Sequence, residues 1–212
     1  MPDIAPLELI QQISREVKVC SLCELQHSRL KAVPGYGQSS AEIIFVGNAP
    51  DFFEDKEGLP MVGTAGLIFD ELLEKENLHR KQVYTTNMVK CRPPNDRHPE
   101  PLELATCLVY LNRQLEAIQP KVVVTLGQSS LQRLMPNAKL EEMHGKFVEI
   151  NGQLYIPFYH PRSVVNNPSL RPVLEEDFKK LITWITDPKN DTEGFNKISV
   201  KEEDKQEQLS LF

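Results

Sequence analysis

The sequence has no long apolar run and no excess of basic residues. None of its apolar segments approaches the roughly 20 residues that a transmembrane helix needs. The N-terminus lacks the basic segment and apolar core of a signal peptide. The 212 residues carry a net charge of −6, so any nucleic-acid-binding face has to be local. These absences favour a cytoplasmic protein that has no membrane partner.

Cysteine is also scarce, with only Cys20, Cys23, Cys91 and Cys107 present. The first two form a C-x2-C pair, and none of the four is left over. In a reducing compartment, clustered cysteines are more often metal ligands than disulfides. The pattern therefore predicts one metal site with four thiolate ligands. Spacing alone leaves both Zn²⁺ and an iron–sulfur cluster open, because each accepts four thiolates.

Apolar periodicity predicts strands that alternate with helices. The predicted strands are 42–47, 82–86, 121–126, 147–150 and 154–158, the last two joined by an Asn151-Gly152 turn. The predicted helices are 6–18, 64–76, 99–118, 127–134 and 170–186. This alternation indicates an α/β fold, a three-layer α/β/α sandwich with a mainly parallel central sheet. Residues 1–186 are long enough to form one such domain.

The composition changes after Thr186. Residues 187–212 contain 7 acidic and 4 basic residues without periodicity, which predicts a flexible tail. The tail ends in Gln208, Leu209, Ser210, Leu211 and Phe212. This pentapeptide resembles the motif with which bacterial proteins bind the replicative sliding clamp. The resemblance implies a bacterial, nucleoid-associated protein whose apolar tail residues fill a cleft on the clamp. The alternative is a chance apolar ending.

Three loops follow the carboxyl ends of predicted parallel strands, where ligands of such folds bind. They are 47–51, 87–91 and 159–162. Basic residues in or near these loops and at the last helix are candidate DNA contacts, against the alternative of scattered surface charge. They are Lys90, Arg92, Arg97, Arg162 and Arg171.

Several short motifs occur in order between positions 13 and 184. They include Cys20-x2-Cys23, Val33-Pro34-Gly35, Phe45-Val46-Gly47-x-Ala49-Pro50, Gly58-x-Pro60-x-Val62-Gly63, Thr86-Asn87-x-Val89-Lys90-Cys91 and Tyr159-His160-Pro161. Together they resemble the family 4 uracil-DNA glycosylases, the iron–sulfur type. The resemblance implies a monomer that flips uracil, or a related deaminated base, out of DNA and hydrolyses its N-glycosidic bond. It also implies a structural [4Fe–4S] cluster on the four cysteines.

The resemblance assigns roles to individual residues. The amide of Asn87 suits the O4 and N3–H groups of uracil. His160 would donate a hydrogen bond to the negative charge that develops on uracil O2. Asn48 and His160 are the catalytic candidates. The base-binding candidates are Gly47, Asn48, Ala49, Asp51, Glu54, Met61, Asn87 and His160.

Three positions depart from that family's pattern. Its first motif reads Gly-Glu-Ala-Pro-Gly, where this chain has Asn48 second and Asp51 fifth. The glutamate is expected to orient or activate the attacking water, whereas an asparagine holds water but accepts no proton. Asp51 is expected to put a carboxylate where the base enters, and Met61 replaces a stacking phenylalanine. Glu54 is a candidate for compensation.

His98 lies in the loop before the long helix. A related branch of the superfamily carries a histidine in about this loop and becomes covalently linked to DNA after it removes uracil. Two alternatives to efficient excision therefore stay open. One is a protein that binds a damaged base with little chemistry, and the other is a covalent trap through His98.

Overall fold

The computed structural model describes residues 5–187 and 198–199. Within these residues, seven strands form one sheet in the order β1-β3-β2-β4-β6-β5-β7. The strands are β1 (Tyr36–Gly37), β2 (Ile43–Gly47), β3 (Tyr84–Asn87), β4 (Val122–Leu126), β5 (Val148–Ile150), β6 (Gln153–Phe158) and β7 (Ile198–Ser199). The helices are α1 (Pro6–Lys18), α2 (Phe52–Glu57), α3 (Gly63–Lys75), α4 (Pro101–Ile118), α5 (Gln128–Leu134), α6 (Leu140–Met143), α7 (Pro161–Asn166) and α8 (Arg171–Thr186).

The centre of the sheet is parallel. Strands β3, β2, β4 and β6 run in one direction, so their carboxyl ends lie along one edge. β1 pairs antiparallel with β3, and β5 pairs antiparallel with β6. Every residue of β2 and β4 is buried, as expected for central strands that are covered on both faces.

Two apolar clusters fill the space on either side of the sheet. One joins α1 and α4 to the sheet and includes Ile13, Leu111 and Val123. The other joins α3 and α8 to the sheet through stacked Phe45 and Phe178, whose ring centroids lie 5.6 Å apart. The predicted three-layer α/β/α architecture is therefore confirmed. No helix in the described ranges is both long and apolar enough to cross a bilayer.

Several local features differ from the expectations: α2, α6, α7 and β1 are not among the predicted elements, and α4 begins later than predicted. The short helix α2 was not predicted, although its Asp51-x-x-Glu54 start is a capping-box pattern. The long helix α4 begins two residues later than predicted, because Glu100 and Glu103 form a reciprocal cap in front of Pro101. In both cases a side-chain cap, and not apolar periodicity, decides where the helix begins.

The segment expected to be a tail contains one described strand. Ile198 and Ser199 lie parallel to β5, beside Val148 and Glu149. The predicted clamp-binding residues 208–212 lie outside the described residues.

Candidate active site

The carboxyl edge of the parallel strands carries a cavity of about 330 Å³. It is lined by residues from the loops after β2, β4 and β6 and from the segment before α4. Six of the eight base-binding candidates line it: Asn48, Ala49, Asp51, Glu54, Met61 and His160. Two of the three predicted loops, 47–51 and 159–162, thus meet at one place, where ligands of parallel α/β folds bind, while no residue of the loop 87–91 lines this cavity.

Gly47 and Asn87 lie at the adjacent ends of β2 and β3. A side chain at position 47 would come within 2.2 Å of Asn87 Oδ1 and 3.8 Å of His160 Nε2. Glycine is therefore required at 47, because it lets the amide and the imidazole approach one strand end. Asn87 is only 1% exposed, and within the described part of the chain its Nδ2 has no hydrogen-bond partner. A buried, unpaired amide donor is costly unless a ligand satisfies it.

His160 is held in one orientation at the start of α7. The main-chain N–H of Arg162 donates to its Nδ1 at 3.1 Å. Since Nδ1 is an acceptor, the neutral ring carries its proton on Nε2. Burial, with a smaller contribution from the charge of Arg162, lowers the pKa of His160 to about 4, and the charge of Asp51 opposes this shift. The imidazole is therefore neutral at pH 7 and offers an Nε2–H donor.

The loop after β2 is braced by a capping box on α2. Asp51 Oδ1 accepts from the main-chain N–H of Glu54, and Glu54 Oε2 accepts from that of Asp51, both at 2.9 Å. Glu54 Oε1 accepts from the N–H of Met61. Burial raises the pKa of Glu54 to about 7, and the two main-chain donors oppose the rise. Glu54 thus ties together two walls of the cavity.

Met61 is fixed in a strained conformation on the cavity wall. Its φ of 53° lies in the left-handed region, which is uncommon for a non-glycine residue. Its main-chain oxygen accepts from Arg80 Nη1, and Arg80 Nε bonds Asp70 Oδ1 at 2.7 Å. Arg80 therefore fixes the cavity wall, a role that the sequence motifs do not indicate.

The prediction that Lys90 contacts DNA is wrong. Lys90 is 1% exposed, and its ammonium group donates to Thr86 Oγ1, to the main-chain oxygen of Asn87 and to Gln114 Oε1 at 2.7–2.8 Å. Burial lowers its pKa to about 7. All three donors of the amine are used inside the protein, so none is left for a phosphate. Lys90 instead supports the strand end that carries Asn87.

The four predicted DNA-contacting arginines are partly exposed, and each already has an acidic partner. Arg162 pairs with Asp51 at 2.8 Å, and Arg97 pairs with Glu103 at 2.6 Å. Arg92 pairs with Asp96, and Arg171 pairs with Glu71 on α3. Arg97 and Arg162 line the cavity itself. These two are the cations best placed beside an entering nucleotide.

His98 also lines the cavity, although its side chain is exposed. Its Nδ1 lies 3.4 Å from the hydroxyl oxygen of Ser129, at the start of α5. The structure therefore brings His98 to the same cavity as His160.

A larger cavity of about 470 Å³ lies between α4, α5 and the sheet. Its lining is mainly apolar and contains none of the predicted site residues. Size therefore does not mark the candidate site, because the groups able to perform chemistry are gathered in the smaller of these two cavities.

The four cysteines converge from distant parts of the chain onto one small cavity. Cys20 and Cys23 follow α1, Cys91 follows β3, and Cys107 lies within α4. Arg29 Nη1 donates to Cys91 Sγ at 3.1 Å, and the N–H of Lys90 donates to Cys107 Sγ at 3.2 Å. In the described ranges, no group of three or more potential ligands is arranged to hold a metal ion. The donor set is still the one that iron–sulfur clusters use, including hydrogen bonds to sulfur.

Comparison with known proteins agrees with this geometry. The family model of the uracil DNA glycosylase superfamily matches residues 34–185. A type-4 uracil-DNA glycosylase of Saccharolobus solfataricus is 44% identical, over 82% of this chain and 86% of its own. Those of Sulfurisphaera tokodaii and Thermotoga maritima are 41% and 39% identical, covering 88% and 84% of this chain and 89% and 95% of theirs. The chain therefore belongs to the uracil DNA glycosylase superfamily and, within it, to the type-4 uracil-DNA glycosylases.

Proposed function

We propose that the protein removes uracil, or a related deaminated base, from DNA by hydrolysing the N-glycosidic bond. A base inside a duplex is inaccessible, so the nucleotide has to be turned out into the cavity. The observation that carries the proposal is that the side chains of Asn87 and His160 both approach Gly47 at one strand end, and that Asn87 Nδ2 has no partner among the described residues.

The two residues suit different edges of a uracil ring. The free Nδ2 donor of Asn87 matches the O4 acceptor, and its Oδ1 matches the N3–H donor. Cytosine presents the opposite pattern at these atoms. When the glycosidic bond breaks, the departing uracil carries negative charge that reaches O2. The Nε2–H of His160 is a fixed donor for that charge, and a neutral ring already oriented for donation needs no rearrangement.

The test is a panel of oligonucleotides, each with one uracil, hypoxanthine, thymine or cytosine, followed by alkaline cleavage and a denaturing gel. If the protein excises uracil, the uracil oligonucleotide yields cleaved strand, and the thymine and cytosine oligonucleotides yield none. A lesion-binding protein would shift the native band without producing an abasic site. A covalent trap would produce a slow protein–DNA band that His98→Ala removes. Absence of all three products overturns the proposal.

The four thiols would hold a [4Fe–4S] cluster. Such a cluster would supply a structural link among the segment after α1, the loop after β3 and helix α4. The loop after β3 also carries Arg92 and Arg97, so the link would fix the shape of a DNA-facing surface. This role needs no change in the oxidation state of the cluster.

The C-terminal residues Gln208, Leu209, Ser210, Leu211 and Phe212 would recruit the monomeric enzyme to a sliding clamp of the bacterial type. Eight residues separate Ser199, which pairs with Glu149 of β5, from Gln208, and they would serve as the tether. A flexible segment of that length spans roughly 15 Å on a root-mean-square basis. Tethering would raise the local enzyme concentration at clamp-loaded, replicating DNA in the cytoplasm without new contacts in the cavity.

Deletion of residues 208–212 should therefore abolish clamp binding and leave excision from a free oligonucleotide unchanged. Clamp affinity can be measured by surface plasmon resonance, and excision by the gel assay. A matched control is Leu209→Ala with Phe212→Ala, which removes apolar contacts but keeps the length. Normal clamp binding by the truncated chain, or a loss of activity on free DNA, would contradict the assignment.

A further inference from the structure

The cavity contains carboxylates, but there is no carboxylate at the position where the family motif has glutamate. Asn48 occupies that position, and an amide accepts no proton from water at neutral pH. Among the described residues, the acids that line the cavity are Asp51, Glu54 and Asp96. If a carboxylate in this cavity accepts the proton of the attacking water, it has to belong to one of these three residues.

The carboxylates of two of these three acids, Glu54 and Asp96, already have hydrogen-bond partners in the protein. Glu54 is 7% exposed, and each of its oxygens accepts a main-chain N–H, from Asp51 and from Met61. Asp96 Oδ1 is bound by Arg92 Nε at 2.7 Å, and its side chain is 52% exposed. Both oxygens of Glu54 are thus held by the main chain, and Asp96 is too exposed to lie deep in the cavity.

Asp51 differs from both. Its Oδ1 caps α2, and among the described residues its Oδ2 has one partner, Arg162 Nη2 at 2.8 Å, on an arginine side chain that is 48% exposed. Its charge also acts on His160, whose protonated form it favours. Asp51 and His160 also line the same cavity. Three residues further along the same loop than Asn48, Asp51 offers the carboxylate that Asn48 lacks.

We propose that Asp51 is the catalytic carboxylate of this chain, displaced by three positions from the place that the family motif gives it. The inference rests on the proposed function. As the C1′–N1 bond breaks, its electron pair leaves with uracil, and the Asp51 charge stabilises the cationic sugar. Water oxygen then bonds to C1′ and releases one proton to the Asp51 carboxylate, which passes it to solvent. Atoms and charge balance without any other reactant.

Binding of DNA would release the Asp51 carboxylate from its ion pair with Arg162. Its guanidinium side chain is 48% exposed and therefore accessible to a DNA phosphate. A phosphate that binds the guanidinium competes with Asp51 for the same donors. Without DNA the ion pair holds Oδ2, and with DNA in place Oδ2 becomes free to contact water. The carboxylate is thus available when substrate is bound.

The test compares single-turnover excision of uracil by wild type, Asp51→Asn, Asp51→Gly and the double variant Asn48→Glu with Asp51→Gly. Asparagine is as good a helix cap as aspartate, so Asp51→Asn removes charge while it keeps α2. We expect Asp51→Asn to be about 100-fold slower, the size of a lost general base, with unchanged affinity for uracil DNA. The double variant should recover to within about tenfold of wild type, because it returns a carboxylate to the family position.

Melting temperature and visible absorbance serve as checks that each variant is folded. If the wild type excises uracil and Asp51→Asn does so at the same rate, the inference about Asp51 is overturned and the proposed function stands. An Asp51→Gly loss that Asn48→Glu does not repair also overturns it, since Asp51 would then act only as a cap. If the wild type excises no uracil, the proposed function itself has failed.

Discussion

Replacement of His160 by alanine is expected to slow uracil excision by about 100- to 1,000-fold, the cost of one lost donor to a developing oxyanion. The donor acts on charge that appears mainly in the transition state, so the loss should fall on the single-turnover rate and not on DNA affinity. Gel-based single-turnover kinetics at saturating enzyme measure the first quantity. Fluorescence anisotropy with uracil DNA measures the second.

Two variants provide the controls for this result. His160→Gln keeps a side-chain donor in the cavity and should retain more activity than His160→Ala. Asn48→Ala should lose less than His160→Ala, because an asparagine can hold water but cannot take its proton. Equal losses for Asn48→Ala and His160→Ala would contradict the assigned roles. A large loss of DNA affinity in His160→Ala would mean that the histidine serves binding.

The neutral state of His160 gives a second way to check the assignment. Burial lowers its pKa to about 4, so the ring stays uncharged from about pH 5.5 to 8. Because the folded-state value lies below the usual one, protonation is disfavoured in the folded protein, and acid reduces stability as pH falls from about 6.5 towards 4. NMR titration of the ring should show one unprotonated form, with the proton on Nε2, throughout the neutral range.

The parts of the fold that repeat a pattern could be predicted from the sequence. β2 and β4 are almost wholly apolar, and α1 has an apolar stripe, so the sequence pattern predicts their positions to within one or two residues. α2 was missed because its six residues expose Phe52 and Phe53 and bury Glu54, which inverts the usual pattern. Only its cap is visible in the sequence.

The sequence predicts the site residues that parallel strand ends bring together. It does not predict the residues whose position depends on one contact with a side chain that is distant in sequence. The motifs placed Asn48 and His160 on one cavity correctly, because both follow parallel strands. Lys90 was misplaced because a basic residue in a predicted loop is normally exposed. Its burial depends on Gln114 from α4, which is distant in sequence and supplies an oxygen for the amine. No local pattern reports such a contact, and the same holds for Arg80 and the main chain of Met61.

Replacement of Cys91 by alanine is expected to remove the iron and much of the stability of the domain. Cys91 follows β3, while Cys23 follows α1, and 67 residues separate them in the chain. A cross-link over a segment of that length contributes about 4 kcal/mol by restricting the unfolded chain. For a domain of this size, that loss lowers the melting temperature by roughly 8–16 °C. Metal binding and folding are coupled, so both should change together.

Iron content, visible absorbance and differential scanning calorimetry measure these effects on the purified chain. Wild type should be brown and contain about four irons per chain, whereas Cys91→Ala should be colourless. The matched control is Val89→Ala, two residues earlier and fully buried, which costs stability through a packing defect but leaves the thiols in place. It should melt lower and still carry iron. A wild-type chain with one zinc and no visible band would show that the thiols hold a single ion. A Cys91→Ala chain that keeps its colour would exclude this thiol as a ligand.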